Sequence, residues 1–403
     1  MASWATERRA EARQRLEELP ELTGREEWRF TRPRDLLLEG AEPSAPGTPG
    51  GFDAESAGHR AARLALVDGA PGPVSVEDLP EGVVVAELSE ALDSHEPLVR
   101  DRLQSLIGVE DRATALNAAT WEGGLLVHVP SGVEVTLPVE AVTTATGAAA
   151  RIATRTVVVV EDGAKATVID RYLSPDLAGP VQASSAVEII AGDRAEVEHV
   201  GVIDWGAGVR HHLTLRAKAG AGAKVRSVIV TLGGDVVRAE PTMILAGEGA
   251  DARALGLFFA AGRQHFEHRV VSRHEAPRAY SNLLYKGALK DQAHTVFFGN
   301  LVVPPGAPGT DAYQTNRNLV LNEGARADTI PFLEIETAEV KCSHAGAVGR
   351  VDEEHLFYLR SRGVGEAAAK RLIVLGFLQE VLEEVELEEL RAELEGAVER
   401  KLG

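Results

Sequence analysis

The amino-acid sequence predicts a mainly β protein: a parallel β-helix core with a helical region before it and a helical domain after it. Three observations predict this fold. From Gly123 onward, short runs rich in Val, Thr and Ile recur for more than two hundred residues without helical periodicity. Within them a strand–turn–strand unit repeats, as VVVVEDGAKATVID (Val157–Asp170), VEIIAGDRAEVEHV (Val187–Val200), LTLRAKAGAGAKVRSVIV (Leu213–Val230), MILAGEGADARALGLFF (Met243–Phe259) and later LVLNEGARADTIPFLEI (Leu319–Ile335). Its turn glycines Gly163, Gly192, Gly222 and Gly249 lie 29, 30 and 27 residues apart, a period at which coils bury their interior by stacking. The third is composition: 44% of the 403 residues are hydrophobic but only 5% aromatic, so the core is mostly Val, Leu, Ile and Ala, which suits a narrow interior. A large β-sandwich also yields many short strands and stays open on this pattern alone.

Taken in order, Ala5–Leu19 is a helix of Glu, Arg and Ala stopped by Pro20, with apolar positions too sparse for firm docking. Arg25–Leu38 has Trp28 and Phe30 as its large anchors, and Ala41–Ala57, with three Pro and three Gly, reads as a flexible connector. Val74–Val76 and Val83–Ala86 read as strands, Glu96–Ile107 and Asp111–Ala119 as helices. The solenoid strands follow: Leu125–Val129, Val133–Leu137, Arg155–Val160, Ala164–Ile169, Val187–Ile190, Ala195–Val200, His212–Arg216 and Lys224–Val230. After Gly349 the pattern turns helical over Asp352–Tyr358 and Gly365–Leu402, with Gly363 as a stop. Leu372, Leu375, Phe377, Leu378, Val381, Leu382 and Val385 form an apolar stripe that packs beside the solenoid. The division is therefore a mainly helical region at 1–120 with its linker at 41–57, a β-helix core at 121–348 and a helical domain at 349–403.

The balance of 42 basic against 61 acidic residues, net −19, excludes a phosphate-tracking surface and an anionic-membrane binder. Met1–Leu19 has no apolar signal core and no run reaches 18 apolar residues, so a cytoplasmic location is expected. No GxxxxGK[ST] phosphate loop, G-x-S-x-G elbow, HExxH or CxxC is present, and Ala219–Lys224 (AGAGAK) lacks the Ser or Thr after its Lys. A β-helix lyase or hydrolase needs paired carboxylates on one face, and Asp162, Asp170, Asp193 and Glu196 do not repeat at one coil position. His211, His212, His265, His268 and His274, with Arg263, Arg269 and Arg273, read as a solvated, charged face. The densest chemistry is KCSHAGAVG, Lys341–Gly349. Cys342 and His344 stand two apart, so on a strand they leave the same face. They suit a soft-metal pair or an activated nucleophile, while a lone Cys equally suits a small buried hydrophobe. Two ligands fall short of the four a structural zinc or a cluster requires, so a metal role needs a second chain.

The stretch from Thr310 to Gly365 resembles the SufB/SufD family of iron–sulfur cluster assembly proteins. The matching residues are Gln314, Asn316–Leu319 (NRNL), Ala325, Pro331, Leu333–Ile335 (LEI), Val340, Cys342–His344 (CSH), Gly349, Phe357–Leu359 (FYL) and Arg362–Gly363. Weaker similarity covers Tyr285–Gly287, Phe297–Gly299 and Leu116–Ala119. The resemblance implies a right-handed parallel β-helix and a non-enzymatic assembly subunit. It implies pairing with a SufB-like paralogue and recruitment of a SufC-like ATPase, which supplies the missing phosphate loop. No cofactor is then held stably by this chain alone, and an iron–sulfur cluster is handled transiently at the partner interface. His344, with Cys342 second, is the residue the resemblance puts at that interface. Phe357, Tyr358, Arg362 and Gly363 resemble the ATPase-engaging region. Ala345 stands where the SufB pattern has Glu, and no Cys lies in Gln314–Asn318, so the SufD side of the family is the nearer. The alternative is a SufB-like scaffold acting as a self-sufficient homodimer. The final coil, near Leu333–Val348, sets the Cys–His pair close to an open edge that a pseudo-symmetric partner can cap.

Overall fold

The computed structural model describes residues 3–38, 58–147 and 149–402; the connector expected at 41–57 lies outside the described residues. From Gly123–Val129 to Lys341–Gly349 successive strands alternate between two sheets, and within each sheet neighbouring strands of successive coils pair in parallel. Val181–Ala191, for example, lies between Arg151–Val160 and Val209–Ala219, and Glu196 sits beside Lys165 on one side and Lys224 on the other. No long crossover is needed for this parallel pairing, because the strand in the opposite sheet is itself the crossover. The repeat thus resolves as a β-solenoid and not a sandwich.

One corner recurs along the coil. Gly132, Gly163, Arg194, Gly222, Gly249, Arg278 and Gly309 all hold left-handed backbone, with φ between 57° and 75°. Their N–H groups donate to the next coil, from Gly132 to Asp162 O through Gly309 to Glu339 O. Gly192, which the sequence repeat places in this series, stands two residues ahead of the left-handed position, which Arg194 occupies. The residue that follows each corner from Ala164 to Thr310 is small: Ala164, Ala195, Ala223, Ala250, Ala279 and Thr310 are each no more than 1% exposed. A small side chain there lets the two sheets converge, and branched aliphatics fill the interior beyond it.

The N-terminal third is more tightly bound than its sequence suggests. Trp4, Ala5 and Ala12 of helix Ser3–Glu18 are buried, and the helix is pinned by arginines to carbonyls, Arg8 to Leu103 O at 2.8 Å and Arg9 to Trp121 O at 2.8 Å. Trp28 is buried under the Arg238 guanidinium, 3.9 Å from its ring centroid. The helix expected over Glu96–Ile107 is helical only at Glu96–Val99. Ala62–Val67, unread in the sequence, pairs in parallel with Val139–Thr144 and so extends one sheet. Val84–Glu87 adds antiparallel to Gly123–Val129 and extends the other. Val133–Leu137 makes only a single bridge, Glu134 to Lys165.

The histidine face expected to be solvated is in fact buried. His211, His212, His268 and His274 are each no more than 1% exposed. His211 lies inside the coil, where its Nδ1 accepts from Trp205 Nε1 at 3.2 Å and its Nε2 meets Ser185 Oγ at 3.0 Å. His268 meets Thr231 Oγ1 at 3.0 Å and His274 meets Ser281 Oγ at 2.8 Å. His212 points outward, but Trp28 covers it at 5.8 Å. Hydroxyl partners, from the facing strand for His274 and from other coils for His211 and His268, make neutral imidazole acceptable in the interior. Arg263 and Arg273 remain exposed.

The C-terminal stretch expected as one helix is two, Glu366–Leu382 and Glu388–Leu402. Between them Arg226 bonds Glu384 O at 3.2 Å and the Glu386 carboxylate at 2.7 Å. Val374, Leu378, Val381, Leu390, Leu394 and Val398 cover the outer-face residues Val200, Val228, Leu257 and Phe259. Arg171 clamps Glu393 bidentately at 2.6 and 2.8 Å. Among the described residues no helix is long and apolar enough to cross a membrane.

Candidate functional site

The two sheets end on Arg326–Ile335 and Lys341–Gly349, each paired on one side only. These edges leave backbone N–H and C=O groups free to accept another strand. They carry apolar side chains that solvent-facing edges ordinarily avoid: Phe332 is 51% exposed, Ile335 37% and Val348 46%.

Register settles where Cys342 and His344 point. Cys342 continues the column Ala166, Val197, Val225, Ala252, Ser281 and Ala312, all of which are interior. His344 continues the column Val168, His199, Ser227, Ala254, Leu283 and Gln314, each no more than 1% exposed. Both side chains therefore belong to the coil interior, and both meet solvent because no further coil covers them. Cys342 is half-buried and packs against the core, while His344 is exposed. Burial pushes the Cys342 thiol up, the nearby Asp311 carboxylate adds to this, and the Ala312 N–H offsets part of it. At neutral pH the side chain is a thiol, and a metal must displace its proton to bind. Among the described residues no group of three His, Cys, Asp or Glu is placed to hold a metal ion, so this pair offers two donors.

The lining turns polar at this end. Across the interior from Gly346, a side chain at that position would come within 3.2 Å of Thr329. One coil below lie Gln314, Asn316 and Asn318, each no more than 3% exposed. Asn318 Nδ2 donates to Asn316 Oδ1 at 2.7 Å, and Asn316 Nδ2 donates to Tyr285 O at 3.2 Å. Both amide atoms of Gln314, Asn318 Oδ1 and Thr329 Oγ1 have no partner. Of these, Gln314 and Asn318 belong to the motif residues singled out in the sequence without a role. The signal that could have found them is the coil period, which sets Gln314 thirty residues before His344.

Phe357 and Tyr358 stand elsewhere, on helix Glu353–Ser361, where they are 74% and 57% exposed. Arg362 ends that helix with its guanidinium 5.2 Å from the Tyr358 ring centroid, and Gly363 follows in left-handed backbone at φ 87°. Leu372 of the next helix, 54% exposed, is a further large apolar group of this helical pair.

Comparison with known proteins agrees with this architecture. Residues 142–377 match the SufBD core domain of the SUF system for FeS cluster assembly, and residues 71–141 match the SufBD protein N-terminal region. An iron–sulfur cluster assembly SufBD family protein of Mycobacterium tuberculosis is 40% identical over 300 residues, covering 72% of this chain and 74% of its own. The iron–sulfur cluster assembly protein SufD of Bacillus subtilis is 31% identical over 328 residues, covering 80% of this chain and 74% of its own. A SufBD family protein of Staphylococcus epidermidis is 27% identical over 326 residues, covering 79% and 70%. A two-sheet solenoid with helical flanks, matched by the core and N-terminal domains together, places the chain in the SufBD family of assembly subunits of the SUF iron–sulfur cluster system.

Proposed function

We propose that this chain is the SufD-type subunit of a cytoplasmic SUF assembly complex, pairing at its open coil end with a SufB-like chain. The carrying observation is that an imidazole and a thiol stand side by side on a final coil whose two edges are unpaired and apolar. A partner solenoid adding a strand to each edge would bury Phe332, Ile335 and Val348 and bring the remaining ligands to Cys342 and His344. The cluster is cargo there. His344 supplies an imidazole nitrogen as ligand, and Cys342 stays protonated until iron displaces its proton. The chain itself turns nothing over.

The test is co-purification with SufB-like and SufC-like partners followed by anaerobic loading with iron and sulfide. His344→Ala is expected to lower cluster yield by about tenfold or more while the complex keeps its mass; ligand support of this kind is worth roughly 10–100-fold. An unchanged yield removes the interface role. A chain that homodimerises and fills to high occupancy alone supports the self-sufficient scaffold instead.

Phe357, Tyr358 and Leu372 are the proposed docking face for the SufC-like ATPase, with Arg362 and Gly363 setting the end of their helix. Replacing Phe357 by Asp is expected to weaken ATPase binding by about 30-fold or more, the loss of one interface anchor worth about 2 kcal/mol or more. Titration calorimetry with the purified ATPase checks it, and Kd unchanged within threefold contradicts the assignment.

A further inference from the structure

We propose that Gln314 is the positioning residue of the coil-end site: its amide engages one ring nitrogen of His344 and leaves the other turned outward to iron. This rests on the reading of His344 as a ligand to iron-containing cargo. Three observations carry it.

The first is register. Gln314 is the direct strand partner of His344, on the same interior face, and nothing stacks on the far side of that strand. The second is an orphaned amide. Gln314 is 1% exposed, yet neither its oxygen nor its nitrogen has a hydrogen-bond partner. A buried amide left so costs stability, and the same column holds Leu283 one coil earlier, so an apolar side chain fits this position. The third is a made space. A methyl group on Gly299 would lie 2.7 Å from both Cδ and Oε1 of Gln314, so the opposite sheet carries no side chain where the amide enters. Close fit without hydrogen bonding marks a group kept for something other than packing.

A primary amide suits this work because it offers both a donor and an acceptor. If Oε1 accepts from an N–H of His344, that nitrogen is the protonated one and the other holds its lone pair for the metal, the arrangement that orients imidazole ligands generally. The bond is unmade in the uncovered chain, where His344 is exposed, and capping by a partner presses the ring down onto the amide.

The experiment uses the full chain labelled with 15N-histidine, alone and bound to its SufB-like partner. Long-range 1H–15N spectra report the tautomer of His344, and added Co2+ reports its metal affinity through paramagnetic broadening. In the complex, wild type is expected to hold one dominant tautomer. Gln314→Met is expected to mix the two and to weaken Co2+ binding at His344 by about 10–100-fold, with thermal stability unchanged or raised because an orphaned amide has gone. A stable Gln314→Met chain with the wild-type tautomer and Co2+ affinity overturns the proposal. Failure of His344→Ala to lower cluster yield counts against the ligand role itself and leaves the tautomer reading intact, so the two failures are told apart.

Discussion

Lowering the pH from 7 to 5 is expected to destabilise the solenoid by a few kcal/mol, seen as a fall in its calorimetric Tm and in its guanidinium midpoint. The cause is the buried imidazoles. Burial pushes His211 and His268 down to about 3 and His274 to about 4. In His211 the Nδ1 lone pair is already committed to Trp205 Nε1–H, so a second proton has no place. Below pH about 6.5 the unfolded chain takes up protons at these positions and the folded chain does not, so stability is whole above that pH and declines as pH falls, levelling only near the folded values. At pH 5 the difference is about 2 kcal/mol for each fully buried ring, at 1.36 kcal/mol per pH unit. Asp204 and Glu198, whose carboxyls burial pushes up, act in the opposite sense and reduce the sum. Glu240 is held well below the usual carboxylate range beside Arg238 and His212 despite its burial, so it stays ionised throughout. His268→Gln should flatten the pH slope by one ring's share. A Tm independent of pH between 7 and 5 contradicts the account.

Glu188→Ala is expected to cost about 3–5 kcal/mol, the range for breaking a buried ion pair from one side. Its carboxylate accepts from Arg155 at 3.1 Å and from the backbone N–H groups of Gln104, Leu106 and Ile107 at 2.9, 2.8 and 3.1 Å. Gln104 is held in left-handed backbone to present that turn. Arg155 in turn donates to Asn117 Oδ1 at 2.9 Å and Ile107 O at 3.2 Å. One carboxylate thus ties the segment after Val99 to the solenoid wall, and removing it strands a guanidinium and three amides. Denaturant unfolding measures the loss, and limited proteolysis should show earlier cutting within 100–108. The double change Glu188→Leu with Arg155→Met should recover the part of the loss due to the unpaired guanidinium, while the three amides still lack their acceptor. A loss under about 1 kcal/mol for Glu188→Ala would mean that water replaces the carboxylate.

How much of this was legible in the sequence differs by residue. The coil was legible because its period is written in turns: Asp162–Gly163, Ala221–Gly222 and Glu248–Gly249 are local signals of left-handed corners. Arg194 broke the series, since a non-glycine can take the same backbone when the next coil's carbonyl holds its N–H, and the reading slipped to Gly192. The C-terminal stripe was legible as helical spacing, but the break at Glu383–Leu387 was not, because Arg226 and Glu198 of the solenoid create it. The histidines were misread as solvated for the same reason: His211 and His268 look polar along the chain, and the hydroxyls they meet, of Ser185 and Thr231, come from other coils.

The amino-acid sequence by itself determined the stacked β architecture, the helical flanks, the family and the shared face of Cys342 and His344, because all rest on short-range periodicity and motif spacing. The tertiary structure alone decided that this face is the coil interior laid open, that Gln314 is the strand partner of His344, and that the first strand belongs to the solenoid sheet. Those facts depend on register between segments about thirty residues apart or more, and register is set by how many residues each coil spends on its corners, which no local pattern records.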